Sequence, residues 1–269
     1  MKIARLAGGA YVVAFAVFVL LPVYWALLTT LSDGGGPPGW ESFLPRRLTL
    51  DGYDFLGSAE SWTALRNSAL VATATAVASV AIGIPAAYAI ARLRRGGAFF
   101  LAALVLLRLL PPVAVILPAF LLANRYHLAD TLAGLVVFYI PFTLTFTVLL
   151  GFAYFRQVPP EIEEAALVDG CSRWGVLRLI VAPLAVPTML AAGILAFAFA
   201  WTEFFVAAAF FRTEALTLPV HVAYHSTYGC FACVPRVEPL QLCLIGLTPS
   251  VICGLLLYRY VTRRVHDGN

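Results

Sequence analysis

Charged residues are scarce in this chain, since Asp, Glu, Lys and Arg together make up only 12% of its 269 residues. A soluble domain averages roughly 25%. Hydrophobic residues reach 61%, and the mean hydropathy is +0.89. Soluble monomers rarely expose large apolar patches, and one core could not hide this much apolar surface. The composition therefore excludes a water-soluble globular domain and predicts that lipid covers the excess.

Lysine is almost missing, because Lys2 is the only one. A phosphate-binding P-loop requires a lysine within the pattern G-x-x-x-x-G-K-[ST], and Lys2 has no such context. The chain therefore encodes no ATPase of this kind, and energy for any transport must come from a partner or from a gradient. We expect no cofactor and no metal in this chain.

Long apolar runs are what the sequence has in abundance. A transmembrane helix needs about 20 apolar residues, whereas barrel strands are alternating segments of about 10 residues. The runs here are unbroken, which predicts an all-α, polytopic membrane protein with six transmembrane helices in a single domain, 1–269. The six predicted spans are 8–31, 64–91, 98–122, 132–152, 183–211 and 240–261.

The distribution of basic residues indicates the orientation. With the N-terminus inside, eleven Lys and Arg residues fall on the cytoplasmic side, six fall outside, and Arg108 lies within a span. Cytoplasmic loops carry the excess of Lys and Arg, so both termini are predicted to be cytoplasmic. The basic pI of ≈ 8.9 follows from this topology and does not indicate nucleic-acid binding.

A polar segment, residues 153–182, separates the fourth and fifth spans. Pro160 suits the first position of a helix, Gly170 suits the position just after its end, and the acidic first turn complements the helix dipole. The predicted helix of about 10 residues is too short and too charged to cross lipid. We expect it to lie along the cytoplasmic surface, followed by a second helix that starts at the N-cap Ser172 and runs into span five.

One stripe of this short helix has small and apolar side chains at i, i+3, i+4 and i+7 spacing. The stripe consists of Ile162, Ala165, Ala166 and Asp169. Alanine keeps the stripe slim enough to enter a groove on another protein. From the residues alone, two interpretations remain: the helix docks into another protein, or it is an amphipathic helix that only contacts solvent.

The same segment resembles the cytoplasmic signature of bacterial ABC-importer permeases, which reads Glu-Ala-Ala, three residues, Gly, nine residues, Ile-x-Leu-Pro. The chain keeps this spacing from Glu164 through Gly170 to Pro183, with Ala182 where Leu is usual. The stretches "LRLLPPVAVILPAFLL" and "FAWTEFFVA" resemble the carbohydrate-importer permeases of the maltose-G type. The likeness covers nearly the whole chain.

The resemblance implies the type I ABC-importer permease fold in the bacterial cytoplasmic membrane, with the short helix as a coupling helix. It implies a second permease subunit, two ATPase subunits that carry ATP and Mg, an extracytoplasmic solute-binding protein, and a sugar, oligosaccharide or polyol as solute. Uptake would proceed by alternating access. The implied ATPase-docking residues are Glu163, Glu164, Ala165, Ala166, Asp169 and Gly170.

Polar and aromatic residues within the spans are candidates for the solute path. Charged residues in a membrane are costly and often functional, so Arg108 and Glu203 either pair structurally or line the path. Sugars also require polar and aromatic partners. The full set of candidates is Asn67, Arg108, Tyr139, Trp201, Thr202 and Glu203.

Two cysteines, Cys230 and Cys233, form a C-x-x-C pair in the last predicted outer loop, close to His221 and His225. On an oxidising face a disulfide is the first possibility, and free thiols are the second. The four residues also resemble zinc ligands in type, although the middle gap is much shorter than in a zinc finger.

The main alternative function is a gradient-driven secondary transporter or channel that acts without ATPases. Such a protein needs titratable groups along its path, and this chain has few within its spans. The alternative predicts transport by the purified chain alone.

Overall fold

The computed structural model describes residues 2–31, 58–92, 97–228 and 238–267, and every regular element in these ranges is helical. A five-residue π-helical segment, Leu177–Val181, joins α7 to α8. The all-α prediction is confirmed. The helices are α1 Lys2–Leu31, α2 Ala59–Arg92, α3 Gly97–Leu109, α4 Pro112–Arg125, α5 Leu132–Phe155, α6 Pro160–Val168, α7 Arg173–Val176, α8 Ala182–Thr202, α9 Phe205–Phe210, α10 Leu218–Tyr228 and α11 Glu238–Asp267.

The chain divides into two compact units. Unit 1 comprises Met1–Trp62 and His221–Thr248, and unit 2 comprises Thr63–Val220 and Pro249–Asn269. In unit 1 the Ser61 hydroxyl and His221 Nε2 form a buried hydrogen bond of 3.0 Å. Unit 2 contains α3 to α9 and most of α2. The single domain over 1–269 stays a prediction.

Four described helical stretches are long and apolar enough to cross a membrane: Val13–Leu31, Ala59–Arg92, Leu132–Phe155 and Arg173–Thr202. A fifth crossing is added if the bent pair α3 and α4 counts as one span. The sixth predicted span, 240–261, coincides with α11, whose apolar stretch Cys243–Leu256 is shorter. The polytopic membrane fold is confirmed, and the count of six stays a prediction.

The third predicted span, 98–122, consists of two helices and not one. Its two halves, Gly97–Leu109 and Ala114–Arg125, are inclined at 96° to one another. Pro111 and Pro112 carry no N–H group, so the carbonyls four residues earlier lose their helical donors. The Leu110 N–H instead bonds to the carbonyl of Leu107 at 3.4 Å, which closes α3.

The fifth predicted span, 183–211, is also interrupted. Helix α8 ends at Thr202, and Glu203 has an extended backbone with ψ of 126°. The Glu203 carboxylate accepts hydrogen bonds from the backbone N–H of Val206 at 3.1 and 3.2 Å. This side-chain cap starts the separate helix α9, which the apolar pattern of the sequence does not reveal.

Small residues allow α2 and α5 to pack closely, as is common between membrane helices. A Cβ atom at Gly151 would lie only 2.7 Å from the Cβ of Ala87 on α2. About two turns earlier along the interface, the hydroxyls of Ser79 and Thr143 share a buried hydrogen bond of 2.5 Å. The ends of both helices contact the polar segment that follows α5, through the hydrogen bonds of Arg92.

Candidate functional site

The polar segment after α5 folds locally as the sequence predicts. Helix α6 starts with Pro160 at its first position and has two acidic residues in its first turn. Asp169 is its C-cap, and Gly170 has a φ of 89°, which L-residues with a Cβ rarely adopt. The Ser172 hydroxyl accepts a 3.0 Å hydrogen bond from the Gly175 N–H and caps α7. These residues confirm the predicted helix–turn–helix.

Glu163 attaches α6 to the end of α2. Its carboxylate accepts hydrogen bonds from the Tyr88 hydroxyl at 2.7 Å and from Arg92 Nε at 2.9 Å, and Arg92 Nη2 also contacts it. The remaining donors of Arg92 reach the carbonyls of Phe155 at 3.0 Å and Val158 at 3.3 Å. One guanidinium group therefore joins the ends of α2 and α5 to α6.

Ala166 provides the apolar part of this attachment. It is 7% exposed and belongs to a buried cluster at the ends of α2, α5 and α8. Glu163 is likewise buried, at 8% exposure. Both side chains are covered by the chain itself, and their predicted part in ATPase docking stays a prediction.

The opposite face of α6 is exposed. Four predicted docking residues lie on it or at its end: Glu164, Ala165, Asp169 and Gly170. Apolar side chains accompany them, since Ile162 is 43% exposed and Val168 is 87% exposed. A groove of about 450 Å³ lies beside the helix, with Tyr88, Arg92, Glu164 and Arg173 among its lining residues.

A second cavity, of about 290 Å³, lies at the break between α3 and α4. Its lining residues come from four helices and two interruptions and are Arg108, Leu110, Phe142, Phe199, Glu203 and Val206. The structure therefore brings Arg108 and Glu203, both predicted path residues, to one place. Aromatic rings form much of the rest of the wall.

Arg108 and Glu203 do not form the ion pair that was one of the two predicted alternatives. The Arg108 guanidinium lies 4.7 Å from the ring centre of Phe146 and 4.8 Å from that of Phe199. The Glu203 carboxylate is engaged with backbone N–H groups at the start of α9. Across the described ranges, no side chain or backbone group forms a hydrogen bond or ion pair with the Arg108 guanidinium.

The other predicted path residues lie elsewhere or are committed to the fold. The Asn67 amide donates to the carbonyls of Glu214 and Leu216 at 3.2 and 3.0 Å. Trp201 is 4% exposed and stacks on Phe197. Tyr139 is 1% exposed, and the Thr202 hydroxyl bonds to the carbonyl of Ala198 at 2.9 Å. None of these four is among the lining residues of the cavity, and their assignment to the path stays a prediction.

Asp130, in the predicted outer loop between α4 and α5, organises the connection between α9 and α10. Although burial by itself raises the pKa of Asp130, the hydrogen bonds outweigh it and lower the pKa from 3.8 to about 2. Asp130 was not among the predicted site residues. The donors to its carboxylate are the N–H groups of Arg212, Thr213, Glu214 and Ala215 and the Thr213 hydroxyl, at 2.8–3.1 Å.

The C-x-x-C pair, Cys230 and Cys233, lies outside the described residues, so its pairing stays a prediction. The cysteines within the described ranges, Cys171, Cys243 and Cys253, are free thiols. A search of the same ranges finds no cluster of three or more His, Cys, Asp or Glu side chains suited to a metal ion.

Two signals in the sequence could have identified the missed residues. Tyr88 and Arg92 are spaced i, i+4 at the basic end of α2, which puts both on the face that meets α6. Phe142 and Phe146 have the same spacing on α5, beside Arg108. In the first case an aromatic and a charged residue share one helical face, and in the second case two aromatic residues do.

The chain is similar to known proteins over most of its length. Residues 79–267 match the protein family described as binding-protein-dependent transport system inner membrane component. The chain is 34% identical to the trehalose transport system permease protein SugB of Mycobacterium tuberculosis, over 93% of this chain and 92% of SugB. It is 33% identical to the probable ABC transporter permease protein y4oR of Sinorhizobium fredii, over 94% of this chain and 91% of y4oR.

The fold is also similar to a solved structure. A chain in the crystal structure of a bacterial ABC transporter involved in the import of the acidic polysaccharide alginate superimposes with a TM-score of 0.79. The alignment covers 96% of both chains at 22% sequence identity, so it shows a common fold alone.

Proposed function

Because the chain belongs to the binding-protein-dependent transport system inner membrane component family, we propose that it is the permease subunit of an ATP-driven sugar importer. Members of this family are transport components and not enzymes. SugB, which is similar over nearly the full length, is named for trehalose transport, and this supports a sugar, oligosaccharide or polyol as solute. The protein crosses the bacterial inner membrane several times.

The observation that carries the proposal is the two-faced arrangement of α6. One face is fixed to α2 and α5 through Glu163 and Ala166, and the other is exposed and small at Ala165. A helix held in this way can transmit a force applied to its free face. We assign it as the coupling helix, with Glu164, Ala165, Asp169 and Gly170 as the contact with a cytoplasmic ATPase.

The proposed assembly contains this chain, a second permease subunit, two ATPase subunits and an extracytoplasmic solute-binding protein. ATP and Mg bind to the ATPases, and this chain carries no cofactor. Both termini are cytoplasmic, as the excess of basic residues on that side suggests. Closure of the ATPases around ATP would displace α6 and switch the solute path between its two orientations.

Co-purification of the tagged chain from its native membrane tests the assembly. We expect two ATPases, a second permease and, with solute present, the binding protein. Purified chain that transports solute by itself, without ATPases, would contradict the proposal and support the gradient-driven alternative.

Substitution of the exposed face of α6 tests the coupling role. Glu164→Lys should abolish ATP-driven uptake while the protein still inserts, because it reverses a charge at the proposed contact. Glu161→Lys is the matched control, since Glu161 is an exposed first-turn residue of the same helix outside the docking set. Equal uptake by the two variants would argue against the assigned contact.

A further inference from the structure

The cavity at the break between α3 and α4 combines a guanidinium group, a carboxylate and aromatic rings in one membrane-spanning unit. Granting the function proposed above, we propose that this cavity binds one ring of a neutral, polyhydroxylated solute. Arg108 is its main hydrogen-bond donor, and Phe142 and Phe199 form its apolar wall. This chain therefore takes part in solute recognition and is not only a mechanical half of the pore.

Arg108 has donors to offer and is held in a fixed position. An arginine in a transmembrane helix is unfavourable unless it reaches water or a partner, yet Arg108 is exposed and its guanidinium has no hydrogen-bond acceptor in the described part of the chain. The rings of Phe146 and Phe199 hold the guanidinium by cation–π contacts. A guanidinium presents five N–H donors in a planar fork, which matches two neighbouring oxygen atoms on a ring.

Acceptors for solute hydroxyl groups lie in the same cavity. The Glu203 carboxylate binds the N–H groups of Val206 and Ala207, and a carboxylate has about four acceptor positions, so part of its capacity remains. Pro112 has no N–H group, which leaves the carbonyl of Arg108 without its helical donor. Donors and acceptors together suit hydroxyl groups, which both donate and accept.

The charge balance and the volume define the class of solute. Arg108 and Glu203 carry opposite charges in one cavity, so the cavity has no net charge, as suits a neutral solute. A cavity of about 290 Å³ is at the lower end of the roughly 300–1,000 Å³ of small-molecule sites. It therefore suits one ring at a time. The C–H groups of that ring would contact Phe142 and Phe199.

A purely structural role for Arg108 is the competing explanation. Cation–π contacts alone would hold the side chain against Phe146 and Phe199. That role leaves every N–H donor of the Arg108 guanidinium without an acceptor in the described part of the chain and does not explain why Arg108 and Glu203 line the same cavity. A structural role also predicts that substitution impairs assembly and ATP hydrolysis to the same degree as uptake.

The test uses the complete transporter in proteoliposomes, with its second permease, ATPases and binding protein. The probes are radiolabelled trehalose and maltose as neutral sugars and an alginate trisaccharide as an acidic one. Uptake and ATP hydrolysis stimulated by the binding protein are measured for wild type, Arg108→Ala, Arg108→Lys and Phe199→Leu. Arg156→Ala is the matched control, because Arg156 also lies over a ring, that of Phe152 at 5.8 Å, outside the cavity.

We expect Arg108→Ala to lower kcat/KM for uptake of the neutral sugar about 30-fold, from the loss of charged hydrogen bonds. Stimulated ATP hydrolysis should stay within about twofold of wild type. Arg108→Lys keeps the charge but loses the fork, so it should recover only part of the loss. Phe199→Leu should lower uptake about fivefold. If Arg108→Ala fails to assemble, the Lys and Leu variants decide by the same criteria.

Several results would overturn the inference while leaving the proposed function intact. The first is that the Arg108 and Phe199 variants take up neutral sugar as fast as Arg156→Ala does. The second is that uptake and ATP hydrolysis fall by the same factor in these variants. The third is that the wild-type transporter takes up only the acidic probe. If the wild-type assembly shows no ATP-dependent uptake of any probe, the proposed function fails, and this inference fails with it.

Discussion

Removal of the Glu163 carboxylate should release α6 from the rest of the chain without unfolding the membrane-spanning helices. In Glu163→Ala, Arg92 and Tyr88 lose their shared acceptor, while the carbonyls of Phe155 and Val158 still bind Arg92. We therefore expect the substitution to weaken the contact between α6 and the end of α2 and to leave the other helices in place.

The magnitude follows from the burial of the pair. The side chains of Arg92 and Glu163 are 24% and 11% exposed. Exposed ion pairs contribute about 0–1 kcal/mol, and removal of one partner from a fully buried pair costs about 3–5 kcal/mol. An intermediate value of about 2 kcal/mol corresponds to roughly a 30-fold rise in the population with α6 detached.

Hydrogen exchange of the assembled transporter, read out by mass spectrometry, measures this population directly. Amides of residues 163–168 should exchange roughly 30-fold faster in Glu163→Ala, and fewer solute molecules should enter per ATP hydrolysed. Glu161→Ala is the control because it removes an exposed acid from the same first turn and has the same effect on helix propensity. Equal exchange rates and equal coupling in the two variants would refute the assigned attachment.

Three further predictions concern the loops and the helix packing. Asp130→Asn should destabilise the connection at 212–215 by about 1.5 kcal/mol, seen as faster amide exchange there at neutral pH. Folding lowers the pKa of Asp130 from 3.8 to about 2, so its contribution to stability is complete above pH 3.8 and is lost as the pH falls through about 2. Exchange protection of amides 212–215 in wild type that stays unchanged over this range would contradict the role of Asp130. Gly170→Ala should destabilise the end of α6 by about 1 kcal/mol from its φ of 89° alone, since a Cβ there contacts nothing. Hydrogen-exchange rates of the α6 amides that match those of wild type would contradict this. Gly151→Ala should lower the Tm of the purified transporter through a 2.7 Å clash, whereas the control Gly193→Ala, with its nearest contact at 3.5 Å, should not.

The parts of the fold that depend on local chemistry could be predicted from the sequence. The apolar runs predict the long helices, and Pro160, Gly170 and Ser172 predict where the short helices begin and end, because caps act within a few residues. The break at Pro111 and Pro112 is visible for the same reason, although its 96° angle is not.

The parts that depend on contacts between distant segments could not be predicted. Glu163 stands in a stretch of acids that looks uniformly solvated, and only the approach of Tyr88 and Arg92, more than 70 residues earlier, makes it a buried anchor. Glu203 likewise interrupts an apolar run without a proline or glycine. Its side chain accepts a hydrogen bond at the start of a new helix, and a hydropathy pattern does not indicate such a bond.

The hydrogen bonds of Arg92 stiffen the end of this unit that carries α6, because three chain segments converge on a single planar group. The interruptions at Pro111 and Glu203 lack continuous backbone ladders and are the compliant parts. We therefore expect a force on α6 to move this end of the unit as one block and to bend the chain at the two interruptions that border the cavity. Deformation of the chain is thereby focused where the solute would be held or released.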